Sequence, residues 1–185
     1  MLHISIMKAL TIAMVLGLSV AGCAGQEMTA EGPDAEEVQE GREAIAEMKQ
    51  KDPGIQKFVD SAYGYAIFPS VGKGGLIVGA TSGDGWVFEK GHLVGKTELT
   101  KVSVGAQAGG ESFSQVIFFK DAGSMDKFKK GNLELGADVN AVAIKQGASA
   151  TTGYEKGMAI FVMTKGGAMA EASVGGQTFD YEPIK

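Results

Sequence analysis

The sequence predicts an α+β domain, with N-terminal amphipathic helices packed on a strongly curved antiparallel β-sandwich or partly closed barrel. Three observations lead there. Apolar residues recur at helical spacing between residues 35 and 62. From Gly64 onward, apolar runs of strand length are separated by glycine-rich or Asp-Gly turns of two to six residues, which favours antiparallel pairing. The inward positions of several of these strands are Ala, Gly and Val, small enough for close approach and sharp coiling.

Each element follows from local chemistry. Asp34, with Pro33 just outside and Glu37 three residues on, starts a helix over 35–50. Val38, Ala44, Ile45 and Met48 form its apolar face; Glu36, Glu40, Arg42, Glu43, Glu47 and Lys49 fill the rest. Asp52-Pro53 restarts a helix with proline at its first position. Ile55, Phe58, Val59 and Ala62 give the buried stripe, and Gly64 ends it. The stretch Tyr63–Phe88 then organises the β region. Ala66–Phe68 stops at Pro69, Gly72–Gly75 turns the chain, Ser82–Gly85 reverses it again, and Trp86–Phe88 returns.

Val102, Val104, Ala106 and Ala108 alternate with polar or small residues as a half-buried strand, and Phe113–Phe119 follows the turn at Gly109-Gly110. Asp121 caps a short helix carrying Met125 and Phe128. Lys127, Lys129 and Lys130 crowd its last turn, where cations complement the helix dipole, and Gly131 stops it. Leu133–Ile144 alternates strictly, Ala148–Tyr154 is a weaker strand, and Met158–Met163 is fully apolar and so central. Ala168–Val174 alternates once more before a short tail.

The first 22 residues read as a targeting segment, with Lys8 in a positive n-region and an apolar run Ala9–Val20, too short to span a bilayer. Val20-Ala21-Gly22-Cys23 resembles the lipobox of bacterial lipoproteins, in which the cysteine is acylated and becomes the first residue. Met7-Lys8 resembles a usual lipoprotein start, so translation begins at Met1 or Met7. The division expected is a signal peptide over 1–22, a lipidated tether over 23–33 and a domain over 34–185. Cys23 is the only cysteine, which excludes a disulfide or cysteine metal site within the chain. Ala24 is not the aspartate that resembles an inner-membrane retention signal, which places the lipoprotein at the outer membrane, facing the periplasm. Loss of Lys8 leaves 16 Lys+Arg against 22 Asp+Glu. So acidic a domain is a poor nucleic-acid binder.

Reaction chemistry finds little purchase. His92 is the only histidine after the leader, so neither a two-histidine metal site nor a supported serine–histidine–acid set exists. Gly91–Thr97 misses the phosphate-cradling loop by one residue and is followed by a strand pattern rather than a helix. Gly72–Gly75 lacks the surrounding βαβ unit of a dinucleotide site. No enzyme, cofactor or metal is expected.

The ordered run Ala62–Pro69, Lys73–Gly79, Gly85-Trp86, Val104–Gly110, Val116–Phe119 and Phe128–Asp138 resembles the SYLF domain, over most of 35–176. The resemblance implies a lipid-binding module. Some eukaryotic members bind phosphoinositide membranes and actin, the latter through a basic N-terminal segment. That region is Glu-rich here, with only Lys49, Lys51 and Lys57 nearby, so an actin-like partner is not expected. The leading expectation is a non-enzymatic domain of an envelope lipoprotein that binds membrane phospholipid, with an anionic or phosphoinositide-like headgroup. Candidate contacts are Lys73, Gly74 and Gly75 in the glycine loop, and Lys127, Lys129 and Lys130 beside Phe128. The alternatives are a structural module binding peptidoglycan or an envelope protein, and a periplasmic carrier of a small hydrophobic ligand.

Overall fold

The computed structural model describes residues 35–75, 78–104, 110–131, 133, 135–136, 140–166 and 174–184. Two helical pieces lead. Helix α1 (Ala35–Lys51) buries Val38, Ala44, Ile45 and Met48. Asp52 caps a 3-10 turn, Pro53–Ile55, which runs into α2 (Gln56–Ser61). The chain then forms β1 (Gly64–Gly75), β2 (Val78–Glu89), β3 (His92–Val104), β4 (Glu111–Phe119), α3 (Ala122–Lys129), β5 (Val142–Ala143), β6 (Met158–Gly166) and β7 (Thr178–Pro183).

The described strands make one open sheet in the order β5-β6-β4-β1-β2-β3-β7, antiparallel except for the short β5–β6 pair. They do not form the expected sandwich or close into a barrel. The sheet is nonetheless sharply curled. Gln115 on β4 and Gln177, just before β7, exchange side-chain hydrogen bonds of 2.8 and 3.1 Å, although four strand intervals separate β4 from β7. In a flat sheet those intervals would span about 19 Å. Phe68 on β1 likewise reaches Phe179 on β7, with ring centroids 5.7 Å apart.

Each face carries a core. On one, Phe58 of α2 stacks on Phe118 and meets Phe161 edge-on, while Gly41 of α1 lies close over Ile67 and Trp86. On the concave face, Phe119, Phe128 and Phe179 form a chain of tilted rings with Met125 beneath.

Several turns expected from the sequence are strand. Pro69 does not end β1. One extra residue is taken up between Phe68 and Val71, where two β1 residues face one on β4, and this bulge accommodates a proline that cannot donate to the ladder. The Pro69 carbonyl instead accepts from Ser114 Oγ at 2.8 Å. Ser82–Gly85 does not reverse the chain but runs through the middle of β2. A Cβ on Gly83 would meet the Ser70 carbonyl oxygen at 2.8 Å, and one on Gly85 would meet Phe68 Cδ1 at 2.6 Å. These glycines let the bulged strand lie close; they do not turn. The real reversal is Lys90-Gly91, both at positive φ, a two-residue hairpin.

The weak strand expected at 148–154 is a 3-10 turn, Ala148–Thr151. Its backbone groups are taken by the helical end of the chain: Asp52 accepts the Ser149 N–H at 2.6 Å, and Lys57 Nζ donates to the Ser149 carbonyl at 2.6 Å. The expected tail is an edge strand, β7, held on β3 by pairs such as Leu99–Phe179. The alternation over Leu133–Ile144 yields a strand only at Val142–Ala143 among the described residues. Most of the Ala168–Val174 pattern and residues 1–34, Cys23 included, lie outside them.

Candidate functional site

The two lysine groups singled out by sequence stand at opposite ends of β1. A Cβ on Gly64 would touch Met125 of α3 at 3.1 Å, so α3 sits at the strand's start. Lys73 lies nine residues on, about 30 Å away at strand rise. They form no common surface. Lys73 is not in a loop; it projects from β1 and binds Glu111 at 3.3 Å. Gly74 is open on its Cβ side, and Gly75, at φ 143, pairs with Gly79 where β1 gives way to β2.

At the other end, Lys129 binds Glu89, which also accepts the Tyr63 hydroxyl at 2.7 Å. The Lys129 bond, with the Tyr63 hydroxyl behind it, holds the Glu89 carboxyl below its usual range. Lys129 is thereby a structural tie between α3 and the β2–β3 hairpin, whereas Lys127 and Lys130 are exposed on the helix.

Sequence reasoning missed the most conspicuous surface. Val78 and Val102 are the only exposed large apolar side chains among the described residues, at 59% and 74%. The ladder puts them together. Ala80 pairs with Val102 and Val78 with Val104, so Val78, Ala80 and Val102 share one face at the end of β2 and β3 away from the Lys90-Gly91 hairpin. Gly74 pairs with Ala80 and Gly72 with Ser82, and a Cβ on either glycine would meet no atom of the described residues within 4 Å. Among the described residues the face is therefore apolar and open. Strand β7 pairs with β3 only as far as Thr100. The expectation that Val102 points inward is overturned, because the strand has run past the core and the opposite face carries Thr81, which is buried. On that opposite face, burial and then the charge of Lys73 pull Lys101 below the ordinary lysine range.

Farther back on the apolar face lies a groove of about 510 Å³. Its floor is two register rows, Asp84–Glu98–Asp180 and Trp86–Lys96–Glu182, each crossing β2, β3 and β7. Lys96 Nζ sits 5.0 Å above the Trp86 ring, and Glu40 of α1 forms the rim. Among the described residues no group of three or more His, Cys, Asp or Glu is gathered to hold a metal ion. His92 is exposed where β3 begins.

The family model Ysc84, described as Las17-binding protein actin regulator, matches residues 100–182. Beta cell expansion factor A of Aeromonas veronii, a bacterial SYLF-family protein, is 30% identical over 139 residues, 74% of this chain and 52% of that protein. The chain carries a SYLF domain. It spans about half the length of the relative it matches. The SYLF match begins on β3 and takes in Val102, the α3 lysines and β7. The alignment with the relative is too long to fit between residue 100 and the end, so it also takes in part of the chain before β3. The SYLF family is linked to lipid binding and to membrane and actin interactions.

Proposed function

We propose that this SYLF domain binds a membrane surface without catalysing a reaction, as part of a bacterial envelope lipoprotein acylated at Cys23 and held at the outer membrane, facing the periplasm. The observation that carries the reading is the open face on which Val78, Ala80 and Val102 stand together at the end of the sheet. Two exposed valines and an alanine side by side on an open face are what a lipid surface accepts. The magnitudes fit a weak contact. Two exposed valines contribute roughly 1–2 kcal/mol each on leaving water, so the tip alone gives an association constant of about 30–10³ M⁻¹.

The lysines that suggested an anionic headgroup support that finer expectation poorly. Lys73 and Lys129 already bind Glu111 and Glu89. The Glu-bearing surface of α1 likewise argues against an actin-like partner. The test is co-sedimentation of the chain from Ala24 onward with phospholipid vesicles at millimolar lipid, comparing wild type with Val78→Thr/Val102→Thr. Binding that weakens in the variant supports the reading. Absence of binding to vesicles of any composition, with binding to peptidoglycan sacculi instead, would replace it with the structural alternative.

A further inference from the structure

We propose that the domain docks end-on, through Val78, Ala80 and Val102, on the same bilayer that holds its own anchor, with the carboxylate row Asp84–Glu98–Asp180 keeping the rest of that face off the lipid. This rests on the membrane-binding reading above and specifies the surface, the orientation and which bilayer is engaged.

The orientation follows from what lies along one face of β2 and β3. The Ala80–Val102 pair is followed inward by Ser82–Thr100 and then by Asp84–Glu98, with Asp180 of β7 beside them. Four residues of strand, about 13 Å, separate the apolar pair from the three carboxylates. Like charges directly opposite one another are already unfavourable in a sheet. Pressing them against hydrocarbon or an anionic surface costs more than two valines can supply. Behind the row, α1 crosses the face, close over Ile67 and Trp86. Charge and shape thus both prevent the face from lying flat, and the end is what remains.

The choice of bilayer follows from chain length. Glu40 of α1 lines the groove beside Ser70, Asp84 and Trp86, so the helix begins within a few residues of the level of Trp86. From Trp86 to Val78 is about 26 Å along β2. Twelve residue steps join Cys23 to Ala35, reaching about 40 Å when extended. The acyl chains and the tip can therefore enter one membrane. Tethering supplies an effective concentration in the millimolar range, so the anchored protein populates a contact that the unanchored domain makes only at millimolar lipid.

The chain itself provides the ruler. Trp86 is its only tryptophan and lies behind the carboxylate row, and with Cys23 acylated a cysteine placed at residue 102 is uniquely labelled. Acylated Val102→Cys protein, carrying a fluorophore at that thiol, is reconstituted into vesicles, and brominated phospholipid is placed either in those vesicles or in a second, protein-free population. The expected result is loss of a substantial part of the label's emission when the bromine is in its own vesicles and none when it is in the others, with Trp86 unquenched in both. Neutralising the row with Asp84→Asn, Glu98→Gln and Asp180→Asn should allow partial quenching of Trp86, limited by the screening that α1 still provides. Equal quenching of Trp86 and residue 102 in the unneutralised protein would overturn the end-on orientation, and quenching only from the second population would overturn the choice of bilayer. An unquenched label on a protein whose unanchored form still binds vesicles would move the surface elsewhere and leave the membrane-binding reading standing. Failure of the unanchored form to bind any vesicle would remove that reading itself, and the inference with it.

Discussion

Gln115 and Gln177 face each other as a reciprocal amide pair, each donating one hydrogen bond to the other, with both side chains buried in the concave core. The pair joins the middle of the sheet to the residue that precedes its last strand. Phe68 opposite Gln115 and Phe179 two residues beyond Gln177 pack beside it. The curl of the sheet is thus held by a satisfied polar contact inside an apolar layer, where an unmet amide is expensive.

Gln115→Met alone should therefore destabilise the domain by about 1–3 kcal/mol, because Gln177 is left buried without a partner. Gln115→Met/Gln177→Met should recover most of that loss. Chemical denaturation of the two singles and the double measures the coupling, and strictly additive losses would show that the amides do not act as a pair.

Lys129→Ala should cost about 1–3 kcal/mol, since it strips a part-buried Glu89 of its strongest partner. Lys127→Ala and Lys130→Ala should each stay within about 0.5 kcal/mol. Thermal midpoints distinguish the three, and a harmless Lys129→Ala would show that the tie is dispensable.

Acid should destabilise the fold through two carboxyls. Glu89 is lowered from its ordinary 4.5 by the Lys129 bond and then the Tyr63 hydroxyl. At Asp52 burial pushes upward, but the N–H groups of Ser149 and Gly54 prevail, leaving it below its ordinary 3.8. Both groups bind protons more readily unfolded than folded, so their contribution is complete above those ordinary values and is lost as pH falls through the depressed folded ones. Denaturation midpoints should hold level to about pH 5 and decline below about pH 4. In Lys129→Ala the decline should be shallower, and an identical acid limb would contradict the assignment of Glu89.

Val78→Thr/Val102→Thr should weaken vesicle binding by roughly tenfold, the equivalent of about 1.4 kcal/mol. Strand-compatible shape is kept, so the unfolding midpoint should barely move. Unchanged binding at unchanged stability would detach the tip from the lipid contact.

Gly85→Ala should destabilise by about 1–3 kcal/mol, its new methyl group meeting Phe68 and the Ile67 carbonyl oxygen at 2.6 and 2.7 Å. Gly74→Ala, facing open space, should be nearly neutral or mildly stabilising. Equal effects would mean that β1 and β2 can part without cost.

What the sequence revealed depended on whether a signal was local. The stripes Val38–Met48 and Ile55–Ala62, the Asp52 and Asp121 caps and the apolar runs Phe113–Phe119 and Met158–Met163 each state their own structure, and the fold contains them. Gly83 and Gly85 misled because a glycine needed for close approach looks the same in sequence as one needed for a turn. The difference lies in Phe68 and Ser70, on another strand. Val102 misled because alternation identifies two faces without saying where the core stops. Of the candidate site, the lysines were visible as residues, but their partners Glu89 and Glu111 came from elsewhere in the chain. The apolar tip needed the β2–β3 register before it could be seen at all.

Strand β7 completes the concave core from the far end of the chain, with Phe179 paired to Leu99 across eighty residues of sequence and Gln177 meeting Gln115 across sixty-two. A chain synthesised from its N-terminus consequently cannot close this core until Gln177 and β7 are free. Loss of β7 with Gln177 would therefore open the whole concave core rather than merely shorten a tail.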